Sequence, residues 1–146
     1  MSTITKDPTG FTTSFSDYYN DDRDTEFFFH KIELADKMII NVQTNGIMDT
    51  TFELPISSRM AITHDAMISP EIGDAGIEPR LIVGNHSNLK IQIVATQIGK
   101  VIATSRNPKD TILSIGSRWF GRGDETNNED FDRLMFILGN VKRLLG

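Results

Sequence analysis

The sequence predicts an α+β fold with a single antiparallel-rich sheet of about six strands and two helices packed on one face. Up to Val83, apolar residues alternate with period two or form short runs, whereas after Leu89 they recur at the 3.6-residue spacing of a helix. A solvated acidic loop at residues 17–25 follows the first run, and short turn-like connections separate the next three runs, as in strands joined by hairpins. A chain of 146 residues supports one hydrophobic core, so we expect one domain over residues 1–146, with residues 1–10 flexible.

The first third of the chain contains four predicted strands, at residues 11–15, 27–34, 37–43 and 47–54. Asn45 and Gly46 predict a hairpin turn before the fourth strand, because both residue types tolerate positive φ. Pro55 ends that strand, since proline cannot donate to a sheet ladder. We therefore expect these four strands to form an antiparallel meander.

The second half alternates strands and helices, with a fifth strand at residues 80–83 and a sixth at 111–115. Ser87 is the predicted N-cap of the first helix, although the β-branched residues that follow would also suit a strand. The apolar face of this helix is expected to contain Ile91, Val94, Ile98, Val101 and Ile102.

Asn128 is the predicted cap of the last helix, and acidic residues follow it at the positive end of the helix dipole. Its expected apolar face consists of Phe131, Leu134, Met135, Leu138, Val141 and Leu145. Two irregular segments, residues 56–79 and 116–127, are predicted to be mobile loops on the partner-facing surface.

Several predicted strands are apolar at both parities, namely 27–29, 38–40, 81–83 and 112–113. Two helices cover only one face of a sheet, so we expect the second face to meet a partner subunit in a dimer. Phe27, Phe29 and Ile39 are the interface candidates if the helices cover Phe28, Met38 and Ile40. The reverse parity stays open, because the sequence does not say which face the helices take.

The composition excludes several classes of function. A net charge of −5 argues against nucleic-acid binding, and no signal peptide or apolar run of membrane-spanning length occurs. The chain has no cysteine, and His30, His64 and His86 lack the local spacing of metal ligands. No phosphate-binding glycine motif is present either. We expect no catalytic residue, metal site, cofactor or membrane contact, hence a protein that is not an enzyme, located in the cytoplasm, with the nucleus as a further possibility.

The segment after the sixth strand contains Arg118, Trp119, Phe120 and Arg122, which are residue types enriched at binding hot spots. These four residues form the predicted contact set for a partner. The alternative is that the Trp119 ring covers one edge of the core.

Residues 36–55 form an apolar strand, a polar turn with glycine and a Thr-rich strand that ends at Pro55, and residues 80–84 form a short strand closed by glycine. These segments and the order of the later elements resemble the third member of the proteasome assembly chaperone 3/4 family. The glycine-rich segment 116–127 departs from the short connection of that family.

The resemblance implies a non-catalytic chaperone that pairs with the fourth assembly chaperone, or with itself. It also implies binding to 20S proteasome α subunits, the α5 type in particular, during α-ring formation, without a cofactor. The alternative is a trafficking or scaffold adaptor, because small domains of a sheet and two helices also serve there.

Overall fold

The protein is described by a computed structural model over residues 4–19, 24–56, 77–121 and 127–146. These residues form one seven-stranded sheet and two α-helices, which confirms the predicted α+β class. The elements in chain order are β1 (Thr5–Lys6), β2 (Thr12–Tyr18), β3 (Glu26–Glu33), β4 (Lys37–Thr44), β5 (Thr50–Leu54), β6 (Arg80–Val83), α1 (Leu89–Ala103), β7 (Asp110–Ile115), a 3₁₀ turn (Arg118–Phe120) and α2 (Asp130–Leu145). The strand added to the predicted six is β1, which pairs with β2 within the first ten residues.

The strand order is β1-β2-β3-β4-β7-β5-β6, and every neighbouring pair is antiparallel except β4 and β7. The predicted turn is confirmed, with φ of 50° at Asn45 and 81° at Gly46. The predicted meander is wrong beyond this turn, since only one isolated bridge, Thr44 to Ile47, joins its two sides. The chain returns through α1, and β7 then lies between β4 and β5.

One face of the sheet is covered by both helices, and we call it the covered face. Phe15, Phe29, Val42 and Ile115 occupy directly paired positions across β2, β3, β4 and β7 on this face, and all four are buried. Burial of side chains of this size stabilises a fold by about 1.5–3 kcal/mol each. These four residues belong to the hydrophobic core of the described part of the chain.

Helix α1 is confirmed as a helix, and its buried residues include Ile91, Val94, Ile98 and Ile102. The predicted N-cap is wrong by one residue. Asn88 caps α1, because its side-chain Oδ1 accepts a hydrogen bond from the backbone N–H of Ile91 at 3.2 Å.

Helix α2 differs from its prediction at its start and on its apolar face. Its N-cap position is Glu129, and Asp130 accepts a hydrogen bond from the N–H of Asn127 at 2.8 Å, so Asn128 is not the cap. The exposed fractions of Phe131 and Met135 are 68% and 45%, so they lie outside the buried stripe. The buried residues are Ile137, Leu138, Asn140, Val141 and Leu144.

The different stripe follows from contacts that α2 makes with the sheet. Phe136 lies against the ring of Phe27, with 5.1 Å between centroids. With this side of α2 against the sheet, Phe131 and Met135 face solvent. The helical spacing in the sequence fits either stripe, and the contacts with the sheet decide between them.

Candidate partner-binding site on the open sheet face

The face of the sheet opposite the helices is called the open face, and it carries fewer of the predicted interface residues than expected. Ile39 lies on it, whereas Phe27 and Phe29 lie on the covered face with exposed fractions of 0%. The register pairs Phe29 with Val42, so Phe29 lies on the same sheet face as Val42 and Met38. Ile39 lies on the opposite face. The expectation that Phe27 and Phe29 belong to the interface is therefore corrected. The register between two strands cannot be derived from the sequence of either strand alone.

Three isoleucines form a continuous apolar row on the open face. Ile32 of β3 pairs with Ile39 of β4, and Ile39 pairs with Ile112 of β7. Neighbouring strands lie about 4.8 Å apart, so this isoleucine row extends about 10 Å across the centre of the sheet. All three side chains are partly exposed. The open face therefore presents a narrow apolar strip to solvent.

A polar row runs beside the isoleucine row, two residues away along each strand. Its members are Ser14, His30, Asn41, Ser114 and Thr51, and each is the direct cross-strand partner of the next. Asn41 Nδ2 lies 3.2 Å from His30 Nδ1, and the hydroxyl oxygens of Thr51 and Ser114 lie 3.0 Å apart. Hydrogen bonds within the row thus satisfy part of its polar groups.

The other neighbour of the polar row contains Phe28, whose cross-strand partners are Ser16 and Gln43. The ring of Phe28 stacks against His30, with 6.1 Å between centroids and 18° between planes. His30 therefore lies between Phe28 and Ile32 on the same strand face.

Charged residues lie at the margins of the open face. Glu53 is the partner of Ile112 at the end of the isoleucine row, and it forms an exposed ion pair with Arg80 at 3.9 Å. Lys37 and Asp110, the first residues of β4 and β7, are cross-strand partners at another margin of the open face. Protein interfaces commonly have an apolar centre and a polar rim, and the isoleucine row with these charged residues at its margins matches that arrangement. In the described ranges, no group of three or more His, Asp and Glu residues could hold a metal ion, and no helix is long and apolar enough to span a membrane.

The predicted contact set at residues 118–122 is only partly available to a partner. Arg118 is exposed, Phe120 is buried with an exposed fraction of 4%, and Arg122 lies outside the described residues. The ring of Trp119 is partly buried and meets Phe27 edge-on at a centroid distance of 4.6 Å. Of the other predicted loop, residues 56–79, the part 57–76 also lies outside the described residues.

Trp119 contacts residues from several other elements, and the sequence did not predict these contacts. Tyr19 packs edge-on against the Trp119 ring at 5.0 Å, and the guanidinium of Arg133 lies 5.1 Å from the centroid of that ring. Arg133 also donates a hydrogen bond to the carbonyl oxygen of Trp119 at 2.7 Å. These residues are more than ten positions apart in sequence, so no local spacing indicates their contacts. The polar row was missed for the same reason, since its members come from five strands.

Comparisons with known proteins agree with this architecture. No match occurs among curated proteins. The crystal structure of a novel chaperone complex for yeast 20S proteasome assembly contains a chain that is similar in fold, with a TM-score of 0.59 and 17% sequence identity. The match covers 91% of this chain and 98% of that chain. Residues 1–142 match the family model of 20S proteasome chaperone assembly proteins 3 and 4. The chain therefore belongs to the family of 20S proteasome chaperone assembly proteins 3 and 4.

Proposed function

We propose that this protein is a non-catalytic chaperone of 20S proteasome assembly that pairs with the fourth assembly chaperone through the open face. The observation that carries this proposal is the isoleucine row, which remains partly exposed while both helices cover the opposite face. Two sheets of this kind pack face to face at a separation of about 10 Å and enclose such side chains between them.

The partner is a chain of the same family, and a second copy of this chain takes its place when that partner is missing. Family membership and the similarity to a chain from a chaperone complex support a partner of this fold. Glu53, Arg80, Lys37 and Asp110 at the rim provide charges of both signs. Such charges guide two faces into one orientation, and the apolar row contributes most of the affinity.

The pair then holds a 20S α subunit, of the α5 type, during α-ring formation. The mechanism is the transient covering of subunit surface by complementary shape and charge, without ATP or a cofactor. Family membership supports this role. Among the described members of the predicted contact set, Arg118 is exposed and therefore available to a subunit.

The pairing is tested by replacing Ile39 with aspartate and measuring the Kd for the fourth assembly chaperone by calorimetry. A carboxylate buried in the isoleucine row without a partner weakens association by about 3 kcal/mol or more, which is at least about a hundredfold in Kd. Ile93→Asp is the matched control, because Ile93 is 56% exposed on α1, on the opposite side of the sheet. Equal Kd values for the Ile39→Asp variant and the natural chain would contradict the proposed interface.

Subunit binding is tested by affinity purification of the tagged protein from its native cells, followed by mass spectrometry. We expect 20S α subunits in the eluate, with the α5 type enriched, together with the partner chaperone. Recovery of membrane-coat components without proteasome subunits would contradict the chaperone function and favour an adaptor.

A further inference from the structure

The polar row contains groups that apolar packing against a partner would leave without hydrogen bonds. In the proposed complex this row lies near the middle of the interface, between the isoleucine row and Phe28. Polar groups that lose water without gaining partners weaken association. A partner with a uniformly apolar face would therefore bind poorly, and a partner with suitably placed polar groups would be selected.

His30 is the member of the polar row that carries an ionisable ring. The amide of Asn41 lies 3.2 Å from Nδ1 of His30, so the Asn41 side chain holds the ring within the polar row. A protonated ring would carry N–H groups on both nitrogens and a positive charge that needs a compensating group when it is enclosed.

Among the described residues, the direct cross-strand neighbours of His30 carry no charge that would compensate a protonated ring. Its cross-strand neighbours are Ser14 on β2 and Asn41 on β4, which are both uncharged. The polar row continues with Ser114 and Thr51, so its described members include no carboxylate. The charged residues of the open face on β3, β4, β5, β6 and β7 lie in other rows, and they are Glu26, Lys37, Glu53, Arg80 and Asp110.

We propose that His30, held by Asn41, is the residue that selects the partner of the open face. This inference rests on the proposed pairing through that face. The partner is a sheet of the same family fold that places an uncharged polar group opposite the His30 ring. Pairing then requires the neutral imidazole, because a cation enclosed between two sheets without a counter-charge is strongly disfavoured. Association with the fourth assembly chaperone consequently weakens in mild acid.

The experiment measures the Kd between this chain and the fourth assembly chaperone at pH 7.5 and pH 5.5. Because enclosing a cation without a counter-charge is disfavoured, association should be several-fold weaker at the lower pH. The His30→Gln variant should bind within a few-fold of the natural chain at pH 7.5 and lose most of the pH dependence. Its amide can accept from Asn41 and donate to the partner, and it does not titrate in this range. His30→Asn serves the same purpose if the glutamine variant does not fold.

The matched control is His86→Gln, because His86 is exposed in the turn before α1 and outside the open face. This control should keep the full pH dependence. A natural chain with equal Kd at both pH values, or a His30→Gln variant that keeps the natural pH dependence, would overturn the role of His30. If Ile39→Asp still abolishes pairing in that case, the interface stands and only the role of His30 falls. If Ile39→Asp pairs normally, both proposals fall.

Discussion

Trp119 shows how one side chain is held by contacts from several elements. Its ring meets Tyr19 after β2, Phe27 on β3 and Phe136 on α2, with centroid distances of 5.0, 4.6 and 5.9 Å. Arg133 adds a cation over the ring and a hydrogen bond to the backbone of Trp119. Edge-on aromatic contacts contribute about 0.5–1.5 kcal/mol each beyond their buried area. The ring therefore covers the edge of the core where α2 meets the sheet.

Replacing Trp119 with alanine is expected to destabilise the protein by about 2–3 kcal/mol, somewhat less than a fully buried tryptophan would cost. The measurement is urea denaturation followed by circular dichroism. Arg118→Ala is the control, since this neighbour is exposed and its replacement should change stability by less than about 0.5 kcal/mol. Unchanged stability together with loss of α-subunit binding would instead make Trp119 a partner contact.

The two helices each contain a glycine, and their surroundings differ. A Cβ added to Gly139 on α2 would meet no atom within 4 Å. A Cβ added to Gly99 on α1 would lie 2.7 Å from Cγ2 of Ile77, closer than real Cβ contacts occur. Gly99 thus allows Ile77 to pack on α1, whereas Gly139 has no such packing role.

Gly139→Ala is expected to stabilise the protein by about 0.5–1 kcal/mol, because alanine loses less backbone freedom in a helix. Gly99→Ala gives a matched comparison within a helix. It should show no such gain, because Ile77 must move to admit the methyl group. Thermal denaturation of both variants checks the prediction. An equal gain in both would mean that Ile77 gives way without cost.

Two hydrogen-bonded carboxylates hold β7 in place within the whole molecule. Asp49, before β5, accepts hydrogen bonds from the N–H and hydroxyl of Ser117 at 2.9 and 3.0 Å. Glu33, at the end of β3, accepts from Nζ of Lys109 at 3.2 Å. Partial burial raises the pKa of each carboxyl. The hydrogen bonds from Ser117 outweigh this effect and lower the pKa of Asp49. The hydrogen bond from Lys109 and the positive charge of Lys31 likewise lower the pKa of Glu33.

Stability should therefore decrease in acid. A lowered pKa means that the unfolded chain binds the proton at a higher pH than the folded chain, so the contribution is complete above the ordinary value of 3.8 for Asp49. It is lost as the pH falls through the lower folded value. Urea denaturation at pH 7, 4 and 3, at one protein concentration, measures the decrease.

The variant Asp49→Asn should be less stable at pH 7 and should lose less stability between pH 4 and pH 3. Asp36→Asn is the control, because Asp36 is exposed in the connection between β3 and β4. If Asp49→Asn shows the same acid dependence as the natural chain, the carboxylate of Asp49 does not contribute to the acid sensitivity.

Features that depend on neighbours along the chain were predictable from the sequence alone. The period-two and helical patterns identified the six longer strands and both helices, and Asn45 and Gly46 identified the turn at β4. Each of these signals comes from backbone preferences and apolar spacing within a few residues. The same patterns led to the α+β class and to the expectation that one sheet face lacks a cover.

Only the tertiary structure decided how these elements meet. The insertion of β7 beside β4, the register that buries Phe29 and the side of α2 that packs on the sheet depend on contacts between distant segments. The isoleucine and polar rows arise in the same way, because each takes its residues from different strands. Single-sequence patterns specify which side chains alternate along a strand. The pairing of strands specifies which of those side chains share a face, and that pairing is a property of the whole core.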